Sequence, residues 1–113
     1  MISDEHLAEL NLICAGAKEM AECGSVYIFL PALTLPDGCT PRQVDALLRL
    51  SSTNTDYPTR LFMSQMVTSS TPRNWNAQNV VIVQKNWFAY SWKDVPNEGR
   101  PIEVVAQHLR ALQ

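Results

Sequence analysis

Segment 44–50 constrains the fold of this chain more than any other stretch. Apolar side chains recur there at every second position, as Val44, Ala46, Leu48 and Leu50. A period of two predicts a β-strand with one fully apolar face. Apolar runs at 26–30 and 61–63 lie on either side, separated from it by turn-forming and polar residues. We therefore predict an antiparallel meander built from residues 26–33, 44–50 and 60–66.

The first 25 residues predict a helix followed by an ambiguous segment. Ser3 is a suitable N-cap, acidic residues follow it, and Asn11 is placed to end a short helix over 4–10. Residues 12–22 are compatible with a helix or a strand. Gly16 weakens the helical alternative, and Gly24-Ser25 is typical of a hairpin turn into the next segment.

The remaining elements follow from local patterns. Pro31 predicts that the strand over 26–33 is an edge strand there or carries a bulge. Residues 60–67 predict a strand, 68–78 a loop, 80–83 a short strand and 85–86 a turn. In the run 87–92, Trp87, Ala89 and Ser91 should face one side, and Phe88, Tyr90 and Trp92 the other. Residues 102–112 predict an amphipathic helix, with Ile102, Val105, Ala106, Leu109 and Leu112 on its apolar stripe.

Length and composition indicate one α+β domain spanning 1–113, in which a terminal helix covers the sheet. The formal net charge of −2 gives no electrostatic reason to expect a nucleic-acid partner. No apolar run approaches the roughly 20 residues that span a bilayer, so we expect no membrane partner. Three cysteines and no secretory signal favour a cytoplasmic location.

The residue types that carry chemistry are sparse. Cys39, in a turn rich in glycine and proline, is a candidate exposed nucleophile, but only Arg42 nearby would lower its pKa. Cys14 and Cys23 are interpreted as small buried residues, and His6 and His108 as surface or packing histidines. No phosphate loop, catalytic triad or metal-ligand spacing is present, so we expect no cofactor and no metal.

The aromatic residues offer the clearest candidates for binding a partner. Trp75, Trp87, Tyr90 and Trp92 are either core residues or part of a partner-binding surface, where tryptophan is enriched. Both interpretations stay open on the sequence. Asp45 and Arg49 share one face of a predicted strand, and we expect that face to be solvated.

Several short motifs occur in a characteristic order along the chain. They are Leu35-Pro36-Asp37-Gly38, then 44–50, Tyr57-Pro58, Trp87 with Tyr90-Ser91, and the helix over 102–112. In this order they resemble the prokaryotic ubiquitin-conjugating-enzyme-like proteins, specifically bacterial family E. The resemblance implies a four-stranded antiparallel meander flanked by helices, and for this reason we favour the strand over the helix for residues 12–22. It also implies a ubiquitin-like protein or its activating enzyme as partner.

Two departures from the family pattern bear on activity. The family usually carries a histidine soon after the aromatic-Ser step, whereas Trp92 and Lys93 follow Ser91 here. A conjugating enzyme also needs a thiol after the meander, and no cysteine follows Cys39. We therefore expect a non-catalytic variant, or a divergent relative with another task. The alternative hypotheses are a stand-alone interaction module with a tryptophan-lined surface and an enzyme that uses Cys39.

Overall fold

The computed structural model describes residues 3–22, 25–49, 59–69, 74–75, 77–82, 84–90 and 100–112. This part of the chain contains two helices and six strands. In order they are α1 (Asp4–Ile13), β1 (Lys18–Glu22), β2 (Ser25–Thr34), β3 (Gln43–Arg49), β4 (Arg60–Met63), β5 (Ala77–Ile82), β6 (Lys85–Ala89) and α2 (Pro101–Arg110). The fold class is therefore α+β, as predicted. Neither helix is long and apolar enough to cross a membrane.

All six strands belong to one antiparallel sheet with the order β1-β2-β3-β4-β6-β5. The first four are consecutive neighbours, so the predicted meander is confirmed as β2, β3 and β4. Of the predicted ranges 26–33, 44–50 and 60–66, Leu50 lies outside the described residues and 64–66 are not part of β4. A strand precedes them, and the favoured interpretation of 12–22 is correct only from Lys18 onward. β6 joins the sheet beside β4 through the pair Met63–Phe88, and β5 forms the edge.

The first helix is longer than predicted. The Ser3 hydroxyl accepts a hydrogen bond from the His6 amide at 3.1 Å, which confirms the N-cap. The prediction that Asn11 ends the helix is wrong, because α1 continues to Ile13. The Asn11 side chain instead accepts from the Gly16 amide at 2.9 Å and so stabilises the turn into β1. Gly16 has a φ of +91°, a conformation that favours glycine.

β2 carries the irregularity that Pro31 predicts. The pairing of β2 with β3 shifts between Leu30 and Leu33, and Ala32 has a φ of +50°. A proline cannot donate to the ladder, so the strand bulges there while its two ends stay paired. The Asp45 carboxylate on β3 accepts a hydrogen bond from the amide of Ala32 at 2.9 Å. The bulge prediction is confirmed, and β2 is an interior strand.

Three boundaries in the second half of the sheet differ from prediction. β4 ends at Met63, because the chain bends there and then pairs Thr68 with Thr40. β5 begins at Ala77, inside the predicted loop. The predicted turn at 85–86 is wrong, since both residues lie in β6 and Ile82 pairs with Lys85. The turn therefore includes Gln84, which has a φ of +63°, and it ends before Lys85.

The buried face of α2 is rotated from the predicted stripe. The inward residues are Pro101, Val104, Val105, His108, Ala111 and Leu112. Ile102 and Leu109 are only half-buried, and Ala106 is exposed. The rotation follows from His108, whose side chain and carbonyl both have buried hydrogen-bond partners on the sheet side of the helix. Together α1 and α2 cover one face of the sheet.

Candidate functional site

The two faces of the sheet are built from alternating residues of the same strands. On one face Ile28, Leu48 and Leu61 pack against the helices, and we call this cluster the main core. On the other face Tyr27, Leu47, Phe62, Ile82, Trp87 and Ala89 form a second cluster. No residue of α1 or α2 belongs to the second cluster. We call this second side the open face, in the sense that neither described helix covers it.

Strand register places the open-face residues in two rows that cross four strands. The first row runs Lys18, Phe29, Leu47 and Phe62 from β1 to β4. The second row runs Met20, Tyr27, Arg49 and Arg60 in the same order. Side chains at such paired positions are close enough to interact. Each row thus combines apolar floor residues with basic residues.

Two arginines of the open face lie over the same aromatic ring. The guanidinium carbons of Arg49 and Arg60 are 5.5 and 5.9 Å from the centre of the Phe62 ring. Cation–π contacts at this distance hold a guanidinium against a ring. Tyr27 meets the same ring edge-on, with centres 6.5 Å apart. The arginines are therefore fixed in place on the open face.

A groove of about 130 Å³ lies on the open face, and we call it the open-face groove. It is lined by Lys18, Met20, Phe29, Leu47, Lys85 and Trp87. Leu47 and Trp87 are buried beneath it, whereas both lysine side chains are exposed. The groove is thus an apolar depression with a basic rim.

The strands that supply the lining residues of the groove show that the sheet is curved. Lys18 and Met20 belong to β1, and Lys85 and Trp87 to β6, with three strands between them. In a flat sheet these two strands would be about 19 Å apart at the usual strand spacing. They line one small groove because the sheet twists and curls toward the open face.

The four aromatic candidates do not form one surface. Trp87 lies on the open face and Tyr90 in the main core, and each exposes only 3% of its surface. Trp75 is half-buried and meets Tyr90 edge-on, with ring centres 5.2 Å apart. Trp92 lies outside the described residues. The predicted alternation along 87–90 is consistent with this placement, and partner binding through these residues stays a prediction.

The described thiols are not exposed nucleophiles. Cys39 is buried against the end of α2, where its Sγ donates to the carbonyl of Leu112 at 3.9 Å. Burial raises the pKa of Cys39, and the charge of Arg42 offsets this only in part. Burial also raises the pKa of Cys14. Cys23 lies outside the described residues. The hypothesis that Cys39 sits in an exposed turn is therefore wrong.

The structure reveals a buried polar cluster that the sequence did not predict. His108 Nε2 lies 2.9 Å from the hydroxyl of Thr59, and Tyr90 donates to the carbonyl of His108 at 2.7 Å. Burial, aided by the positive charge of Arg60, lowers the pKa of His108 to about 4. The imidazole is therefore neutral at pH 7. The cluster joins α2 to the start of β4 inside the protein, and it faces no groove described above.

The basic rim is the feature that sequence reasoning missed. A signal was present, because Lys18 precedes Met20 and Lys85 precedes Trp87 by two residues, which places each pair on one strand face. Asp45 and Arg49 share that face as predicted, yet both are half-buried rather than fully solvated. Among the described residues no cluster of three potential metal ligands occurs.

Comparison with known proteins finds no family model that matches this chain, and no curated protein or solved structure that matches it. The class of protein defined by the fold and the site is therefore an α+β domain with a basic, apolar-floored groove on its open sheet face.

Proposed function

We propose that this chain is a non-catalytic protein-binding domain of a bacterial ubiquitin-like modification system. It binds the ubiquitin-like protein or its activating enzyme. The observation that supports the binding role is the open-face groove. Its floor is formed by the buried side chains of Leu47 and Trp87, and the exposed Lys18 and Lys85 lie at its rim. Apolar pockets with a few charged groups at their rim are typical of recognition sites.

The absence of catalysis is supported by the thiols. Thioester formation needs a thiolate within reach of the incoming carbonyl. Cys14 and Cys39 are both buried, and burial raises the pKa of each. Both described cysteines are free, which is in keeping with the reducing conditions of a cytoplasm.

The ubiquitin-like partner is supported by the resemblance of the motifs and by the order of the elements. A helix, a four-stranded antiparallel meander and a C-terminal helix follow one another here. That order is the one the resemblance implies, with β5 and β6 inserted before α2. The turn that carries Leu35-Pro36-Asp37-Gly38 is closed by hydrogen bonds between Leu35 and Arg42.

The test uses the ubiquitin-like protein and the activating enzyme encoded by the same genome. Calorimetry should show saturable binding of this protein to one of them. After the activating enzyme is charged, a non-reducing gel should show no thiol-sensitive adduct on this protein. Single Cys14→Ser, Cys23→Ser and Cys39→Ser variants serve as controls. An adduct that one of these substitutions removes would establish catalysis and contradict the proposal.

A stand-alone interaction module is the second candidate function. The observation that favours it is Trp87, which lines the open-face groove. Genomic neighbourhood discriminates between the two candidates, since genes for an activating enzyme and a ubiquitin-like protein should accompany the first. Failure of both candidate partners to bind in calorimetry would favour the second.

A further inference from the structure

We propose that the open-face groove binds a segment of a partner protein in which one bulky apolar side chain is flanked by acidic residues. The inference rests on the proposal that the chain is a protein-binding domain, and it names the chemistry of the segment that is bound.

The size of the groove sets the apolar part of the ligand. An apolar cavity of about 150 Å³ holds one benzene molecule, so a groove of about 130 Å³ accepts one side chain of similar size. Its walls are Met20 and Phe29, and its floor is Leu47 and Trp87. The Trp87 indole N–H already donates to the Ile82 carbonyl at 2.9 Å, so the floor offers no free indole donor. A leucine or phenylalanine side chain fits this lining.

The distribution of charge sets the acidic part of the ligand. The formal net charge of the chain is −2, yet Lys18, Arg49, Arg60 and Lys85 all lie on the open face. Arg42 pairs with Asp37, and Arg100 pairs with Glu9 and Glu103. Asp45 is the opposing charge on the open face, where its Oδ1 accepts from the Ala32 amide at the bulge, and the four cations named above outnumber it. A basic patch on an acidic protein attracts and orients an acidic partner.

The aromatic residues argue for a peptide rather than a single-stranded nucleic acid. Nucleic-acid platforms offer exposed ring faces on which bases stack. Here Tyr27, Phe62 and Trp87 are all buried, and the Phe62 ring is already in contact with two arginines. The open face offers a pocket for one side chain and cations around it, which is the complement of an acidic segment with one apolar anchor.

The experiment measures fluorescence anisotropy of a labelled peptide with a central phenylalanine and glutamates on both sides. We expect saturable binding that weakens as salt is raised. Replacing the phenylalanine by serine, or the glutamates by glutamines, should abolish it. Lys18→Glu and Lys85→Glu should each weaken binding about tenfold or more, since each reverses a rim charge. Arg110→Glu, an exposed cation on α2, is the matched control and should leave binding unchanged.

The variants are chosen so that folding does not confound the result. Lys18 and Lys85 are both exposed, so their replacement leaves the two clusters intact, and thermal melts check this. The absence of peptide binding would overturn the inference, and so would equal affinity in the lysine variants. An oligo-dT strand that competes as well as the peptide would show a general anion site and would also overturn it.

The two proposals can fail separately. If the ubiquitin-like protein or activating enzyme binds equally well to wild type and to both lysine variants, the groove assignment fails while the proposed function stands. If the peptide binds as expected but neither of those proteins does, the groove assignment stands and the proposed function fails.

Discussion

Leu47 and Leu48 are adjacent in β3, yet their side chains enter different clusters on opposite faces of the sheet. Neither exposes any surface. Alternation predicted the burial of Leu48, because it lies on the fully apolar face. It gave no reason to bury Leu47, whose strand neighbours on that face are Asp45 and Arg49. Leu47 is buried because Phe62 of β4 and Trp87 of β6 belong to the same cluster and pack on this face of the sheet.

Leu48→Ala should destabilise the protein by about 2–5 kcal/mol, because it leaves a cavity in the main core. Leu109, which we predicted as a core residue, is only half-buried on α2 and lies beside a surface groove. Leu109→Ala should therefore cost only about 1 kcal/mol. Urea denaturation of both variants checks the difference. Equal costs would mean that the buried face of α2 is assigned wrongly.

At the scale of single elements, the bulge in β2 shows how a side chain compensates for a break in the ladder. The irregular pairing leaves the Ala32 amide without a ladder partner, and the Asp45 carboxylate accepts from it. The Asp45 carbonyl accepts from the Ser64 amide at 2.9 Å, so the same residue also contacts the chain just after β4. One aspartate thus connects three consecutive strands of the meander.

Asp45→Ala should lower the free energy of unfolding by about 1–2 kcal/mol, since a charge-assisted hydrogen bond is lost. Asp45→Asn keeps an acceptor oxygen in the same place and should cost less. Asp37→Ala is a useful comparison, because Asp37 is exposed in its ion pair with Arg42 and should contribute little. Guanidinium denaturation ranks the three variants. A cost for Asp45→Ala no larger than that for Asp37→Ala would contradict this account of the bulge.

Local sequence patterns correctly predicted those features that depend on interactions between residues close together in the chain. The N-cap at Ser3 and the bulge at Pro31 each depend on a few neighbouring residues, and both are confirmed. The predicted stripe on α2 was rotated from the buried face because it was built from apolar residues alone, with His108 left as a surface or packing residue. His108 faces inward only because Thr59, far away in sequence, provides a buried partner. No local pattern contains that information.

The candidate site was missed for the same reason at a larger scale. Its basic residues come from four different strands, β1, β3, β4 and β6, which are distant in sequence. The overall net charge of −2 gave no indication that these basic residues lie on the same face of the sheet. Only the curvature of the sheet brings Lys18 and Lys85 to one groove. The sequence indicated the aromatic residues as candidates for partner binding, but the Trp87 ring is buried and forms the floor of the groove.

At the scale of the whole molecule, α2 and the sheet are connected through a polar cluster inside a mainly apolar core. His108 of α2 meets Thr59 beside β4, and Tyr90 after β6 donates to the backbone of α2. Burial holds the imidazole neutral, and Arg60 adds to that effect. The stability of the fold should therefore depend on pH.

The protein should lose stability as the pH falls from about 6.5 toward 4, because the pKa of His108 is lowered from 6.5 to about 4 on folding. Below pH 6.5 the unfolded chain takes up a proton that the folded protein excludes, so protonation favours the unfolded state. Linkage then predicts a loss of about 2 kcal/mol between pH 7.5 and pH 5. Urea denaturation at both pH values measures this loss.

The control variants separate His108 from the other titrating groups. His108→Gln lowers stability at every pH but should remove most of the difference between pH 7.5 and pH 5, since glutamine does not titrate. His6→Gln replaces the other histidine of the chain, which lies in α1, and should leave the difference in place. A pH dependence that persists in His108→Gln and disappears in His6→Gln would show that the buried imidazole is not the group responsible.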